Sequence, residues 1–237
     1  MLNTTRAIVL KTVAHGDGTV ILKAWTGHAG LRSYIVRISK RKGISAAALQ
    51  PLNRVELVAD ERADRELQSV RELRVVRPYI NVHRDPVRGA TALFVQEVLH
   101  RVLRSEAADP SLDHFLHEAM EAMDTVEDLR CFPHVFLIQL SGHLGFMPEL
   151  PGEGEDHFDL QEGCFHRADA PQGHTMGPVL SKAFVDLLGR DLVHSYSTVI
   201  PAAQRRELLD HLLLYFRLHV DGLGELRSPA VLHAALA

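Results

Sequence analysis

The hydrophobic period of this chain changes once, near residue 80, and that change constrains the fold more than any other feature. Before it, short runs rich in β-branched residues alternate with turn residues, which is typical of β-strands. From about Asp85 onward, apolar residues recur every three to four positions, which is typical of amphipathic helices. The sequence therefore predicts an α+β protein of two domains, with strands over 1–80 and helices over 81–237.

Five strands are expected in the first domain. They lie at 6–12, 19–25, 31–38, 53–58 and 66–76. The first two flank His15-Gly16-Asp17-Gly18, a hairpin turn in which glycine can adopt a positive φ. Five short strands in about 75 residues fit a small closed barrel of the OB type, and an SH3-like barrel would give a similar pattern. Alternation along the fifth strand predicts one shared face for Leu67, Ser69, Arg71, Leu73 and Val75.

The second domain carries clear helix signals. Asp109 is a good N-cap residue and Pro110 suits the first helical position, so a helix is expected to begin there. The segment 132–144 is apolar on nearly every side, which predicts a buried central helix. Two more helices are expected to begin near Pro201 and Ser228.

An irregular segment interrupts these helices. Residues 147–178 are rich in Gly, Pro, Asp and Glu, and only 156–160 resembles a strand. We expect this segment to be an excursion from the helical domain without regular structure of its own.

The net charge of −4 is divided unevenly between the two halves. Residues 1–80 have a net charge of +7, from fourteen Lys and Arg against seven Asp and Glu, whereas residues 81–237 have −11. A basic module joined to an acidic one indicates a polyanion-binding domain attached to a domain with another task.

The basic residues of the first domain cluster on the first three predicted strands and in the loop that follows the third. We expect the DNA-binding set to be Lys11, Lys23, Arg32, Arg37, Lys40, Arg41 and Lys42. OB barrels bind single strands through a charged groove with aromatic rings on which bases stack. Trp25 and Tyr34 are the aromatic candidates, although for Trp25 alone burial in the core is the expected position.

Catalytic patterns are missing from the sequence. It has no Walker phosphate loop, no G-x-S-x-G and no dinucleotide fingerprint, so we expect a protein that is not an enzyme and uses no cofactor. No apolar run is long enough for a membrane span, no signal-peptide layout occurs, and two cysteines make no disulfide framework. The expected location is the cytoplasm.

A metal site is the main alternative that the residue types leave open. Four potential ligands lie in the irregular segment: His157, Cys164, His166 and His174. Without a C-x-x-C pair or an H-E-x-x-H motif, we expect them not to hold a metal. A metal-dependent phosphohydrolase or nuclease and a protein-interaction adaptor remain the competing function classes.

Several segments together resemble the RecO family of recombination mediators. Residues 7–12 and 21–31, with Gly16-Asp17 between them, are similar to its opening barrel strands, and Leu49-Gln50-Pro51-Leu52 is similar to the entry to its fourth strand. In the helical half, 95–103 with 109–116 resembles the first two helices. Residues 141–150 resemble the "LG…P.L" element that ends the central helix of the family.

One departure from the family pattern concerns zinc. Many members carry a four-cysteine zinc site just after the "LG…P.L" element, whereas this chain has only Cys164 there. We therefore expect a zinc-less member in which Phe158, Leu160 and Phe165 hold the segment by packing.

The resemblance also implies an activity and partners. It implies an OB domain followed by a helical domain, binding of single- and double-stranded DNA, strand annealing and assistance to recombinase loading. The implied partners are RecR, RecF in some lineages, and the acidic, aromatic-ended tail of single-strand-binding protein. Arg101, Arg104 and Arg130 are the cations expected to meet that tail on the helical domain.

Overall fold

The computed structural model describes residues 2–39, 43–62, 65–105, 107–168, 173–195 and 199–236. They form two compact units, one made of 1–83 with 96–120 and the other of 84–95 with 121–237. The expected division into domains 1–80 and 81–237 stays a prediction about folding units.

The strands of the first unit form a closed barrel. They are β1 (Leu2–Gly16), β2 (Thr19–Thr26), β3 (Gly30–Arg37), β4 (Arg54–Asp60) and β5 (Leu67–Val75). Their order is β1-β2-β3-β5-β4, with β4 pairing back onto β1 and a parallel contact between β3 and β5. This is the OB arrangement, so the α+β prediction with an N-terminal OB barrel is confirmed. A short 3₁₀ helix, Ala46–Leu49, precedes β4.

Two β-bulges decide which side chains face the barrel interior. The pairing of β1 with β2 shifts between Val9 and Lys11, and the pairing of β4 with β5 shifts between Val58 and Ala59. Each bulge moves the following side chains to the opposite face of the strand.

The face predicted for the fifth strand is wrong because of the second bulge. Val70, Leu73 and Val75 belong to the barrel core or pack against it, whereas Arg71 is exposed. The step of three from Val70 to Leu73 cannot come from simple alternation.

Six α-helices lie in the described part of the chain. They are α1 (Pro86–Val102), α2 (Pro110–Thr125), α3 (Phe132–His143), α4 (Pro178–Leu188), α5 (Ala202–His219) and α6 (Ser228–Ala235). The predicted start of α2 is confirmed, since the Asp109 Oδ1 accepts a hydrogen bond from the Leu112 amide at 2.9 Å. The burial of α3 is confirmed as well, whereas α4 was not anticipated. No described helix is long and apolar enough to cross a membrane.

The segment 147–178 is more regular than its composition predicts. It contains β6 (His157–Asp159), β7 (Cys164–His166) and β8 (Thr175–Met176), in the order β7-β6-β8. Strands of two or three residues are too short to give a periodic signal, which explains why two of them were missed.

An aromatic cluster fixes this small sheet. The Phe158 ring lies 4.9 Å from Phe165, 4.8 Å from Phe184 and 5.7 Å from Tyr215, measured between ring centroids. Phe158, Leu160 and Phe165 are all buried, which agrees with the predicted packing role of these residues.

Candidate nucleic-acid interface

The outer face of β1, β2 and β3 carries three of the predicted DNA-binding residues. Lys11 lies directly opposite Lys23 in the β1–β2 ladder, and Arg37 lies opposite Thr19 at the end of β3. Leu22 and Ala24 face the core, so Lys23 between them faces outward. The bulge after Val9 puts Lys11 on that same outer face, because without it the alternation from Val9 would turn Lys11 inward. We call the outer surface around these two lysines and Arg37 the basic face.

Two lysines directly opposite each other repel, so this pair is poorly explained as a stabilising feature of the sheet. An anion placed between them would offset that repulsion. The outer surface of strands 2 and 3 is also where OB folds bind oligonucleotides.

Helix α1 adds positive charge beside the basic face. The Gln96 side-chain amide donates to the Leu10 carbonyl at 2.8 Å, which holds this part of the helix against β1. One turn further, burial lowers the pKa of His100, and the positive charges of Lys11, Lys23 and Arg101 lower it more. Lys11, Lys23 and Arg101 therefore all lie near enough to the His100 ring for their charges to act on it.

The other predicted DNA-binding residues have different positions. Arg32 lies opposite Ala24, on the strand face that belongs to the barrel interior. Burial raises the pKa of Tyr34, and the charge of Arg32 partly opposes that rise. Lys40, Arg41 and Lys42 lie outside the described residues.

The aromatic candidates do not lie on the basic face. Trp25 and Tyr34 are exposed by only 1% and 0%, so neither can stack on a base. The Trp25 Nε1 donates to the Asp113 Oδ1 at 3.1 Å, and Tyr34 packs in the barrel core. Stacking by Tyr34 is therefore wrong as a prediction, whereas the burial expected for Trp25 is confirmed.

The three arginines expected to bind a protein tail are not equivalent. Arg101 and Arg104 belong to the first unit, whereas Arg130 belongs to the second. Arg130 is already engaged, because its Nε donates to the Asp128 carboxylate at 2.7 Å and thereby lowers the pKa of that carboxyl.

Arg130 lines an apolar pocket of about 320 Å³ in the second unit. The apolar part of its wall comes from Ala202, Ala203, Leu209 and Leu236, and the polar part from Arg130, His134, Arg205, Arg206 and His233. Arg205 and Arg206 were not among the predicted site residues, since nothing in the local sequence distinguishes them from other helix-surface arginines. Arg205 donates to the Ile200 carbonyl at 2.7 Å, which fixes one side of the pocket.

Comparisons with known proteins agree with this architecture. The profile of the family Recombination protein O N terminal matches residues 1–79, and that of Recombination protein O C terminal matches residues 83–229. The chain belongs to the recombination protein O family.

Three curated relatives of the RecO family illustrate the degree of similarity. The DNA repair protein RecO of Christiangramia forsetii is 29% identical, with 98% of each chain covered. That of Porphyromonas gingivalis is also 29% identical over 98% of each chain, and that of Flavobacterium psychrophilum is 27% identical over 96%. Family membership indicates a role in DNA repair and recombination, with DNA and recombination proteins as partners.

Three of the four potential metal ligands of the segment 147–178 lie in the small sheet of β6, β7 and β8. His157 and His166 pair across β6 and β7 with their rings 5.8 Å apart, and the His157 Nδ1 lies 2.7 Å from the Asp156 carboxylate. Cys164 lies opposite Asp159 and is a free thiol. Among the residues that the structure describes, no group of three or more His, Cys, Asp or Glu could hold a metal ion. The hydrolase alternative therefore has no ligand set in that part of the chain.

Proposed function

We propose that this RecO chain binds single- and double-stranded DNA on its basic face and anneals complementary strands. With RecR, and with RecF in some settings, it would help to load recombinase onto DNA coated with single-strand-binding protein, at the bacterial nucleoid. The observation that carries the proposal is the Lys11–Lys23 pair, with Arg101 and Arg37 on or beside the same surface.

The mechanism requires no bond chemistry. Lysine and arginine neutralise phosphates and release the counterions condensed on DNA, which gives affinity with little sequence preference. Lys40, Arg41 and Lys42 follow β3 in the sequence, and their charges are proposed to add to the phosphate contacts. Two strands held at one basic surface lose much of their mutual repulsion, so base pairing can complete the annealing.

Salt-dependent DNA binding tests the basic face. The double variant Lys11→Ala/Lys23→Ala should bind every DNA sequence more weakly, and its log–log salt slope on single strands should flatten by about 0.7 per lost phosphate contact. The triple variant Lys40→Ala/Arg41→Ala/Lys42→Ala should show the same type of change. Lys182→Ala, an exposed lysine on α4, is the matched control and should bind as the wild type does.

The result that contradicts the proposal is specific. If both variants keep the wild-type affinity and salt slope while the protein still binds DNA, the DNA surface lies elsewhere on the chain.

The apolar pocket of the second unit supports the proposed contact with single-strand-binding protein. An acidic tail that ends in an aromatic ring needs an apolar pocket for the ring and cations at its rim for the carboxylates. Leu209 and Leu236 supply the apolar wall, and Arg130 and Arg206 supply the cations. Because Asp128 already binds Arg130, a tail carboxylate must share or displace that partner. We therefore propose Arg206 as the principal cation for the tail, and Arg101 as part of the basic face.

A fluorescent tail peptide tests this assignment. Arg206→Ala should weaken binding of the peptide by about tenfold. A hydrogen bond to a charged group contributes about 1.5–3 kcal/mol, and the lower value corresponds to a change of about tenfold in Kd. Arg104→Ala, at an exposed position two residues after the end of α1, is the comparison variant. Loss of binding in the Arg104 variant with full binding in the Arg206 variant would move the tail site to the first unit.

A further inference from the structure

Within the part of the first unit that the structure describes, no Trp, Tyr or Phe ring is exposed for a base to stack on. Its Trp, Tyr and Phe side chains within the described residues are all buried. They are Trp25, Tyr34, Tyr79 and Phe115. Proteins that hold single strands nonetheless combine phosphate contacts with stacking surfaces, and histidine rings can serve as such surfaces.

A wide groove in this unit is lined by histidines. Its volume is about 830 Å³, and its walls come from the start of β1, the β2–β3 turn and the first turns of α2. The side chains of three histidines in the groove, His28, His114 and His117, are exposed by 43%, 77% and 33%. We call this site the histidine groove.

Two of its rings have polar neighbours. The Thr5 Oγ1 lies 2.9 Å from the His28 Nδ1, and the Asp113 carboxylate lies 3.9 Å from the His117 Nε2. Asp113 is itself fixed by the hydrogen bond from Trp25. Burial lowers the pKa of His117, which favours the neutral ring that can stack without desolvating a charge.

The remaining lining residues suit a nucleobase better than an acidic peptide. Arg6 is exposed on β1 and can meet a phosphate, while Asn3 and Asp113 offer the amide and carboxylate groups that read base edges. The carboxylates of Asp113 and of Glu61, which lies 4.0 Å from His28, repel both phosphates and peptide carboxylates, so the group that fits beside the rings is an uncharged base.

We infer that the histidine groove binds unpaired bases of single-stranded DNA, with His28, His114 and His117 as stacking surfaces. This inference rests on the proposed DNA-binding function and adds to it a site that distinguishes unpaired from paired bases. Duplex DNA hides its base faces, so the groove contributes to single-strand binding alone.

The test compares three DNA probes with the full-length protein. They are an oligo(dT) of about 16 nucleotides, an abasic strand of equal length and a duplex of equal length. This length is the upper end of what one OB domain covers. His114→Ala should weaken oligo(dT) binding by about fivefold, which corresponds to the weaker end of base–aromatic stacking, and should leave the abasic strand and the duplex unchanged. His114→Phe keeps a ring and should restore oligo(dT) binding. His194→Ala, an exposed histidine of the second unit, is the control.

Each outcome decides the inference separately from the DNA-binding proposal. Equal losses on all three probes would show a phosphate site rather than a base site, and unchanged oligo(dT) binding would show that the groove holds no base. Either result overturns the inference. If Lys11→Ala/Lys23→Ala weakens binding to all three probes and His114→Ala causes no selective loss on oligo(dT), the proposal for the basic face is supported and the inference about the histidine groove is rejected.

Discussion

Replacement of Phe158 by alanine should remove most of the aromatic packing that stabilises the segment 147–178. Phe158 is fully buried and contacts three other rings, so its truncation leaves a cavity in the aromatic cluster. Phe→Ala in a core lowers the free energy of unfolding by about 3–5 kcal/mol. The loss of three aromatic pairs places the cost of Phe158→Ala toward the upper end of that range. Against a total stability of about 5–15 kcal/mol, this is a large fraction.

Urea unfolding measures the effect directly. With a loss of about 4 kcal/mol and a slope of about 2 kcal/mol/M, the midpoint should fall by roughly 2 M. Phe158→Leu loses the aromatic pairs but keeps most of the volume, so its midpoint should fall less than that of Phe158→Ala. Val179→Ala, on the exposed side of α4, should leave the midpoint unchanged.

The chelator EDTA distinguishes packing from metal binding. If packing holds the segment, the wild-type midpoint is the same with and without the chelator. A midpoint that falls in EDTA, or a Phe158→Ala variant as stable as the wild type, would refute the reasoning.

The remaining predictions concern metal content and pH. We expect elemental analysis of the purified protein to find no stoichiometric zinc, since the chain has only two cysteines and no C-x-x-C pair. About one zinc per chain would contradict this prediction. His157 and Cys164 would then be the first residues to replace. Burial lowers the pKa of His134 to about 4, so the unfolded chain binds more protons than the folded one between about pH 4 and 6.5. The free energy of unfolding should therefore fall as the pH falls through this window, by up to about 3 kcal/mol for this one group, and His134→Gln should show a shallower dependence in urea titrations at several pH values.

Local sequence patterns were sufficient for most of the secondary structure. The five barrel strands and the starts of α2, α3, α5 and α6 follow from β-branched runs, turn residues, an Asp cap and prolines, all of which act over a few residues. Helix α4 was missed because a glycine- and proline-rich segment leads directly into it, and its start at Pro178 resembled the end of that segment.

The candidate sites depended more strongly on contacts between distant residues. The pocket that contains Arg130 is completed by Arg206 and Leu236, which lie far along the chain. The histidine groove joins the start of β1 to α2 across about a hundred residues. No periodic pattern reports such contacts, because periodicity records which face of an element is buried and not which element covers it.

By itself, the sequence determined that a basic strand-rich region precedes an acidic helical one, and its short motifs indicated the RecO family. Only the tertiary structure decided which cations share a surface. Lys11 and Arg32 look equivalent in the sequence, yet the bulge after Val9 turns Lys11 outward beside Lys23, while the register of β3 directs Arg32 toward the barrel interior. The physical reason is that strand register is fixed by closure of the whole barrel, and a shift of one residue exchanges the two faces of a strand.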